Sequence, residues 1–173
     1  MKHVWVLRHA KAETAAPGGD DHERALTGRG RRQGAALRKL LPSLARDGRP
    51  LPTLVLCSTA RRARQTAAAV VDALGSDVIV EEERSLYQAD SEEVFERLRL
   101  VPDEVAGVLV VGHNPTLQEV CFDLIALDDI DGIERLEAGF PTAALAVIAL
   151  DTGSWTDLVA GSGRLDDLVV PGR

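Results

Sequence analysis

Three apolar runs in this sequence each end in residues suited to holding an anion. Val4-Trp5-Val6-Leu7 leads into Arg8 and His9. Thr53-Leu54-Val55-Leu56-Cys57 leads through Ser58 to Arg61 and Arg62. Gly107-Val108-Leu109-Val110-Val111 leads through Gly112 to His113. Continuous runs rich in β-branched residues read as buried strands. Open parallel sheets place their chemistry just outside the carboxyl ends of such strands. Two arginines and two histidines converging on one edge would make a pocket for a dianionic tetrahedral group. Guanidinium presents a planar fork to phosphate oxygens, and helix N-termini add backbone donors.

Placing those residues together requires helices between the strands, and the sequence supplies them. Thr27 is a natural N-cap for a helix whose apolar stripe is Leu37, Leu40, Leu41 and Leu44, ended by Gly48, Pro50 and Pro52. Ser58 or Thr59 is expected to cap the next helix, with Ala63, Ala67, Val70, Val71 and Leu74 inward and Gly75 as its stop. A short strand is expected over 77–81. Asp90 and Glu93 then form a capping-box pattern for a helix to about Leu100. Asn114 as N-cap and Pro115 at the first helical position predict a helix with Leu117, Val120, Cys121 and Leu124 inward. Residues 143–150 and 155–159 read as a final strand pair, turning at Thr152-Gly153, and Thr14 to Asp21 reads as a mobile loop. Strands alternating with helices predict an α/β fold, a three-layer α/β/α sandwich on a mainly parallel sheet, as one domain over 1–173.

Composition narrows the partners. A net charge of −7 argues against a general nucleic-acid or membrane-surface binder. No run approaches membrane-spanning length and the first residues do not form a signal peptide, so a cytoplasmic protein is expected. Cys57 and Cys121 stand in apolar surroundings without metal or redox spacing and read as buried free thiols.

Further matches accompany the three exits: Arg24-Ala25-Leu26-Thr27 with Gly30, Arg62-Ala63 with Gln65-Thr66-Ala67, Val111-Gly112-His113-Asn114-Pro115, and Pro141-Thr142. With Leu7-Arg8-His9 they occur jointly and in order from end to end. In this the chain resembles the histidine phosphatase superfamily, the phosphoglycerate mutase-like phosphatases, and most its small SixA-like branch. The resemblance implies that His9 accepts a phosphoryl group, that Arg8, Arg62 and His113 bind the phosphate, and that no metal or other cofactor takes part. It also implies a phosphorylated substrate, foremost a phosphohistidine-bearing signalling or phosphotransfer protein. Rival readings are a small phosphate ester or nucleotide-linked phosphate as substrate, and a non-catalytic phosphate-binding module.

Two departures from the family pattern bear on the chemistry. Ala10 stands where the signature has glycine. Gln88 aligns with the position at which larger relatives carry a glutamate proton donor, and an amide cannot serve a leaving alkoxide. That loss tilts the expected substrate towards a labile P–N bond. Too few residues separate Gly75 from Gly107 for an inserted cap, so an open site is expected. Ser58 and Arg24 are candidate substrate contacts, and Asp20 and Glu83 are outside candidates for a proton donor. His3 and His22 read as structural, Asp90 and Glu93 as a helix cap. Arg29, Arg31, Arg32, Arg38 and Lys39 read as a solvated helix face rather than a docking patch.

Overall fold

The computed structural model describes residues 1–45 and 48–172. Six strands form its sheet: β1 (Lys2–Arg8), β2 (Leu54–Ser58), β3 (Ile79–Glu83), β4 (Gly107–Gly112), β5 (Leu145–Leu150) and β6 (Gly163–Val169). Their order is β3-β2-β4-β1-β5-β6. The β1/β4, β2/β4 and β2/β3 pairs are parallel, and β5 and β6 are antiparallel additions. Val4, Val6, Leu54, Leu56, Val108 and Val110 pack on one face, and Trp5, Leu7, Val55, Cys57, Leu109 and Val111 on the other. Burial of both faces explains why these strands show no polar alternation. The predicted three-layer α/β architecture is thus the observed one.

On the Trp5 face lie α1 (Gly28–Leu44) and α2 (Arg61–Val70), packed through Leu37, Leu41, Ala63, Ala67 and Val70. On the Val4 face lie α3 (Ser91–Arg99), α4 (Thr116–Leu124) and α5 (Ile130–Glu137), packed through Phe95, Leu98, Leu117, Cys121 and Leu136. Thr27 caps α1 by accepting from the Gly30 N–H, and both halves of the Asp90–Glu93 capping box close α3. Glycine seats α1 tightly. A Cβ on Gly30 would lie 2.1 Å from the Lys11 carbonyl oxygen, and one on Gly34 would lie 2.8 Å from the Ala69 methyl.

Several local expectations need correction. The last strand is Gly163–Val169, not 155–159. Trp155 and Leu158 are apolar because they plug the core: the Trp155 indole donates to the Val105 carbonyl at 2.7 Å and its backbone N–H to Asp103 at 2.9 Å. The third strand begins two residues later than expected, at Ile79. Leu40 points to solvent, and Val71 is only half-buried. Neither Ser58 nor Thr59 caps α2, whose N-cap position is Ala60. Asn114 does not cap α4 either. The Asn114–Pro115 bond is cis, the helix starts at Thr116, and the Asn114 amide donates to the Phe140 carbonyl at 3.0 Å. Helix α5 went unpredicted.

Cys57 and Cys121 are buried free thiols, and burial pushes the Cys57 thiol up to about 12. Among the described residues, no helix is long and apolar enough to cross a membrane.

Candidate active site

Register brings the three exits to one edge. Arg8 lies opposite Gly112 and Leu7 opposite Val111, which is also the partner of Cys57. The residues that follow, His9, Ser58 and His113, therefore emerge side by side. The imidazole rings of His9 and His113 are 5.2 Å apart, and Arg62 closes on His9 from the first turn of α2.

Each group is held in a defined orientation. The buried His9 ring places Nδ1 2.8 Å from the Ala10 carbonyl, which can only accept, so Nδ1 carries the proton and Nε2 keeps its lone pair. Arg62 donates from Nε to that Nε2 at 3.3 Å. The Ala10 N–H is tied to Thr66 Oγ1 at 3.0 Å, and Thr66 in turn donates to the Arg62 carbonyl at 2.7 Å. Arg8 is fixed by a 2.9 Å bond to the Phe140 carbonyl, with Nε buried and unpartnered. His113 Nε2 is 2.8 Å from Ser58 Oγ, and its Nδ1 is likewise buried without a partner. An unpaired buried donor such as Arg8 Nε is costly, and a guanidinium beside the histidines suits a pocket that takes up an oxyanion. The Ala143 N–H completes the frame, donating to the Arg8 and His9 carbonyls at 3.2 and 3.1 Å.

Electrostatics keep both histidines neutral. Burial lowers His9 to about 4, against the Ala10 bond, with the charges of Arg62, Arg8 and Arg24 adding to the effect. Burial lowers His113 to about 3, helped by His9 and Arg62. At neutral pH a cationic pocket therefore surrounds an imidazole whose Nε2 is unprotonated.

Sequence reasoning missed a second group of residues. Asp21 starts a 3-10 turn (Asp21–Glu23), and its carboxylate accepts from Tyr87 Oη at 2.6 Å, Arg62 Nη2 at 3.2 Å and Arg24 Nη1 at 2.8 Å. The Asp21 carbonyl also accepts from Arg62 Nη1 at 2.8 Å. Tyr87 and Arg24 hold the Asp21 carboxyl far below the usual carboxylate range. The Tyr87 ring packs edge-on to both His113, at 5.6 Å, and His22, at 5.0 Å. His22, read as structural, bonds Thr59 at 2.9 Å and so joins this wall. Nothing periodic marks these residues, because they come from a loop and from the 3-10 turn Ser85–Tyr87.

The remaining candidates lie apart from the histidine pair. Gln88 is exposed at the outer lip with Arg84, Ser85 and Glu93, so Tyr87, one residue earlier, is the side chain that reaches the cluster. Glu83 pairs with Arg97 at 2.6 Å, and Asp20 accepts from the His22 N–H at 2.9 Å. Arg24 pairs with Asp21 at 2.8 Å, and its charge reaches His9. Among the described residues, no group of three or more His, Cys, Asp or Glu side chains is placed to hold a metal ion.

Comparison with known proteins agrees with this geometry. The family model described as Histidine phosphatase superfamily (branch 1) matches residues 4–86. An uncharacterized protein of Mycobacterium tuberculosis (strain ATCC 25618 / H37Rv) is 37% identical over 168 residues, covering 95% of this chain and 99% of its own. A structure provisionally assigned as the phosphohistidine phosphatase SixA of Agrobacterium tumefaciens is 34% identical, with a TM-score of 0.77 and 99% of each chain covered. The protein histidine phosphatase SixA complexed with tungstate is 26% identical, with a TM-score of 0.73, covering 98% of this chain and 97% of its own. The chain belongs to the histidine phosphatase superfamily and is a phosphatase.

Proposed function

We infer that the protein is a phosphohistidine phosphatase acting on a phosphorylated protein through a covalent phospho-His9. The observation that carries this is the state of the carboxylate touching the cluster. Asp21 is fixed by three donors and held ionised, so it has no proton to give a leaving group. Tyr87 donates its own proton to Asp21, and Gln88 has none to offer as an acid. An alkoxide leaving group needs such a proton in the transition state, whereas an imidazole leaving from phosphorus is far less demanding. The SixA likeness supports the same substrate class.

In this reading His9 Nε2 attacks phosphorus, a new P–N bond forms, and the substrate P–N bond breaks. The departing imidazole takes its proton from water. Arg8, Arg62 and His113 hold the phosphoryl oxygens as their charge shifts, with Ser58 keeping His113 oriented. A water then attacks phosphorus, the P–Nε2 bond breaks, and the water's proton returns to solvent in place of the one the imidazole took, releasing inorganic phosphate and restoring the Nε2 lone pair.

The test is dephosphorylation of a phosphohistidine-bearing carrier protein beside a phosphoserine peptide, sugar phosphates and a nucleotide, all with chelator present. Wild type is expected to strip the phosphohistidine fastest, with His9→Ala inactive on every substrate. Faster turnover of a small ester would reject the substrate while leaving the phospho-His9 path intact.

A further inference from the structure

We propose that the outer face of α1 and α2 docks an acidic segment of the substrate protein; this rests on the reading that the substrate is a protein. Eight of the chain's 20 Lys and Arg residues lie on these two helices, and none of its 27 Asp and Glu residues do. A strongly cationic face thus stands on a molecule of net charge −7. Arg62 turns into the site, while Arg29, Arg31, Arg32, Arg38, Lys39, Arg61 and Arg64 are exposed. Arg38 pairs with Asp72 at 3.3 Å, and Arg31 donates to the Leu26 carbonyl. Arg29, Arg32, Lys39, Arg61 and Arg64 have no ion-pair partner among the described residues. The helices approach closely where Gly34 meets Ala69, so their exposed outer faces lie side by side.

These charges stand where the fold disfavours them. The first turn of a helix is its positive end and favours acids. Helices α3, α4 and α5 follow that rule with Glu92, Glu93, Glu119 and Asp131. Helices α1 and α2 have no acid there, and carry Arg29, Arg31, Arg61 and Arg64 instead. A breach of local preference repeated on two adjacent helices points to selection for binding rather than stability. Arg61 and Arg64 share the first turn of α2 with Arg62, so the surface runs directly into the pocket. A nucleic-acid strand would extend from the patch over an acid-rich remainder, whereas a short acidic protein segment fits within it.

The test compares two synthetic peptides, each phosphorylated on one histidine and followed by six Glu or six Gln residues, with free phosphohistidine as the small substrate. At low salt, kcat/KM is expected to favour the Glu peptide by about tenfold, and 0.3 M NaCl should erase the preference. The variant Arg29→Gln/Arg32→Gln/Arg61→Gln/Arg64→Gln should lose the preference while melting no lower than wild type, since it removes charges from positive helix ends. Equal rates for the two peptides, or a preference that survives in the variant, would overturn the docking surface and leave the phosphohistidine reading standing. No hydrolysis of any phosphohistidine substrate would overturn both. Inhibition by an oligonucleotide stronger than by polyglutamate would reassign the face to nucleic acid. A salt-sensitive dimer in sedimentation, lost in the variant and without peptide preference, would reassign it to a second copy of the chain.

Discussion

Among individual side chains, the arrangement turns on what holds Arg62. Its Nε faces His9, and both Nη atoms are tied to Asp21, which is itself tied to Tyr87. Tyr87→Phe keeps the ring against His113 and removes one hydrogen bond, so the guanidinium loses part of its brace. One such bond is worth about 1 kcal/mol, and kcat/KM is expected to fall about fivefold, chiefly through KM. Asp21→Asn removes the charge that pairs with Arg62 and Arg24 and is expected to cost more. Steady-state kinetics on a phosphohistidine substrate would check the order; equal, negligible losses would reject the brace. His9, Arg62 and His113 could be read from the sequence because each follows an apolar run at a strand exit. Asp21, His22 and Tyr87 could not, because their meeting depends on a loop folding over α2. That Tyr87 rather than Gln88 turns towards the pair was hidden for the same reason: the short 3-10 turn before Gln88 carries no hydrophobic period to fix which side chain faces inward.

Elements were legible wherever pattern and capping agreed. β1, β2 and β4 are continuous apolar runs, and α1 and α3 open with caps that the structure retains. The end of the chain misled for a physical reason. Trp155 and Leu158 look like strand residues but serve as a core plug, while the true β6 carries Arg164, Asp166 and Asp167 because it is an edge strand. Helix α5 opens on an Asp129 side chain that accepts from the Gly132 N–H, a cap that could have been found. The strongest element-level prediction concerns the seat of α1. Gly30→Ala forces a methyl to within 2.1 Å of the Lys11 carbonyl, next to the His9 loop. Overpacking against backbone typically costs about 1–3 kcal/mol, and activity should fall with it. Gly153→Ala meets no atom within 4 Å and is expected to change stability by less than about 0.5 kcal/mol. Urea titrations of the two variants would separate them, and equal midpoints would show that the close approach is not a constraint.

Across the whole molecule, the site is linked to folding through its protons. Burial holds His9 down to about 4 and His113 to about 3, and it also lowers His3 at the start of β1. An unfolded chain takes up these protons near pH 6.5, well before the native protein does. Stability is therefore full above that pH and is lost as pH falls towards the native values. Each histidine contributes a slope of up to about 1.4 kcal/mol per pH unit within that window. Asp21 extends the decline to lower pH, since its depressed carboxyl is protonated first in the unfolded chain. Substituting His9→Asn removes one proton from the balance without emptying the pocket, and His113→Asn removes another. Urea midpoints measured between pH 7 and pH 4.5 are expected to fall steeply for wild type, less for either variant, and least for the double variant, whose residual slope reports on His3. Parallel slopes in all four proteins would mean that the two imidazoles are not held neutral, and would remove the basis for an unprotonated Nε2 at neutral pH. The poise that readies His9 for attack on phosphorus is thus the same one that weakens the fold in acid, and a single titration series reads both.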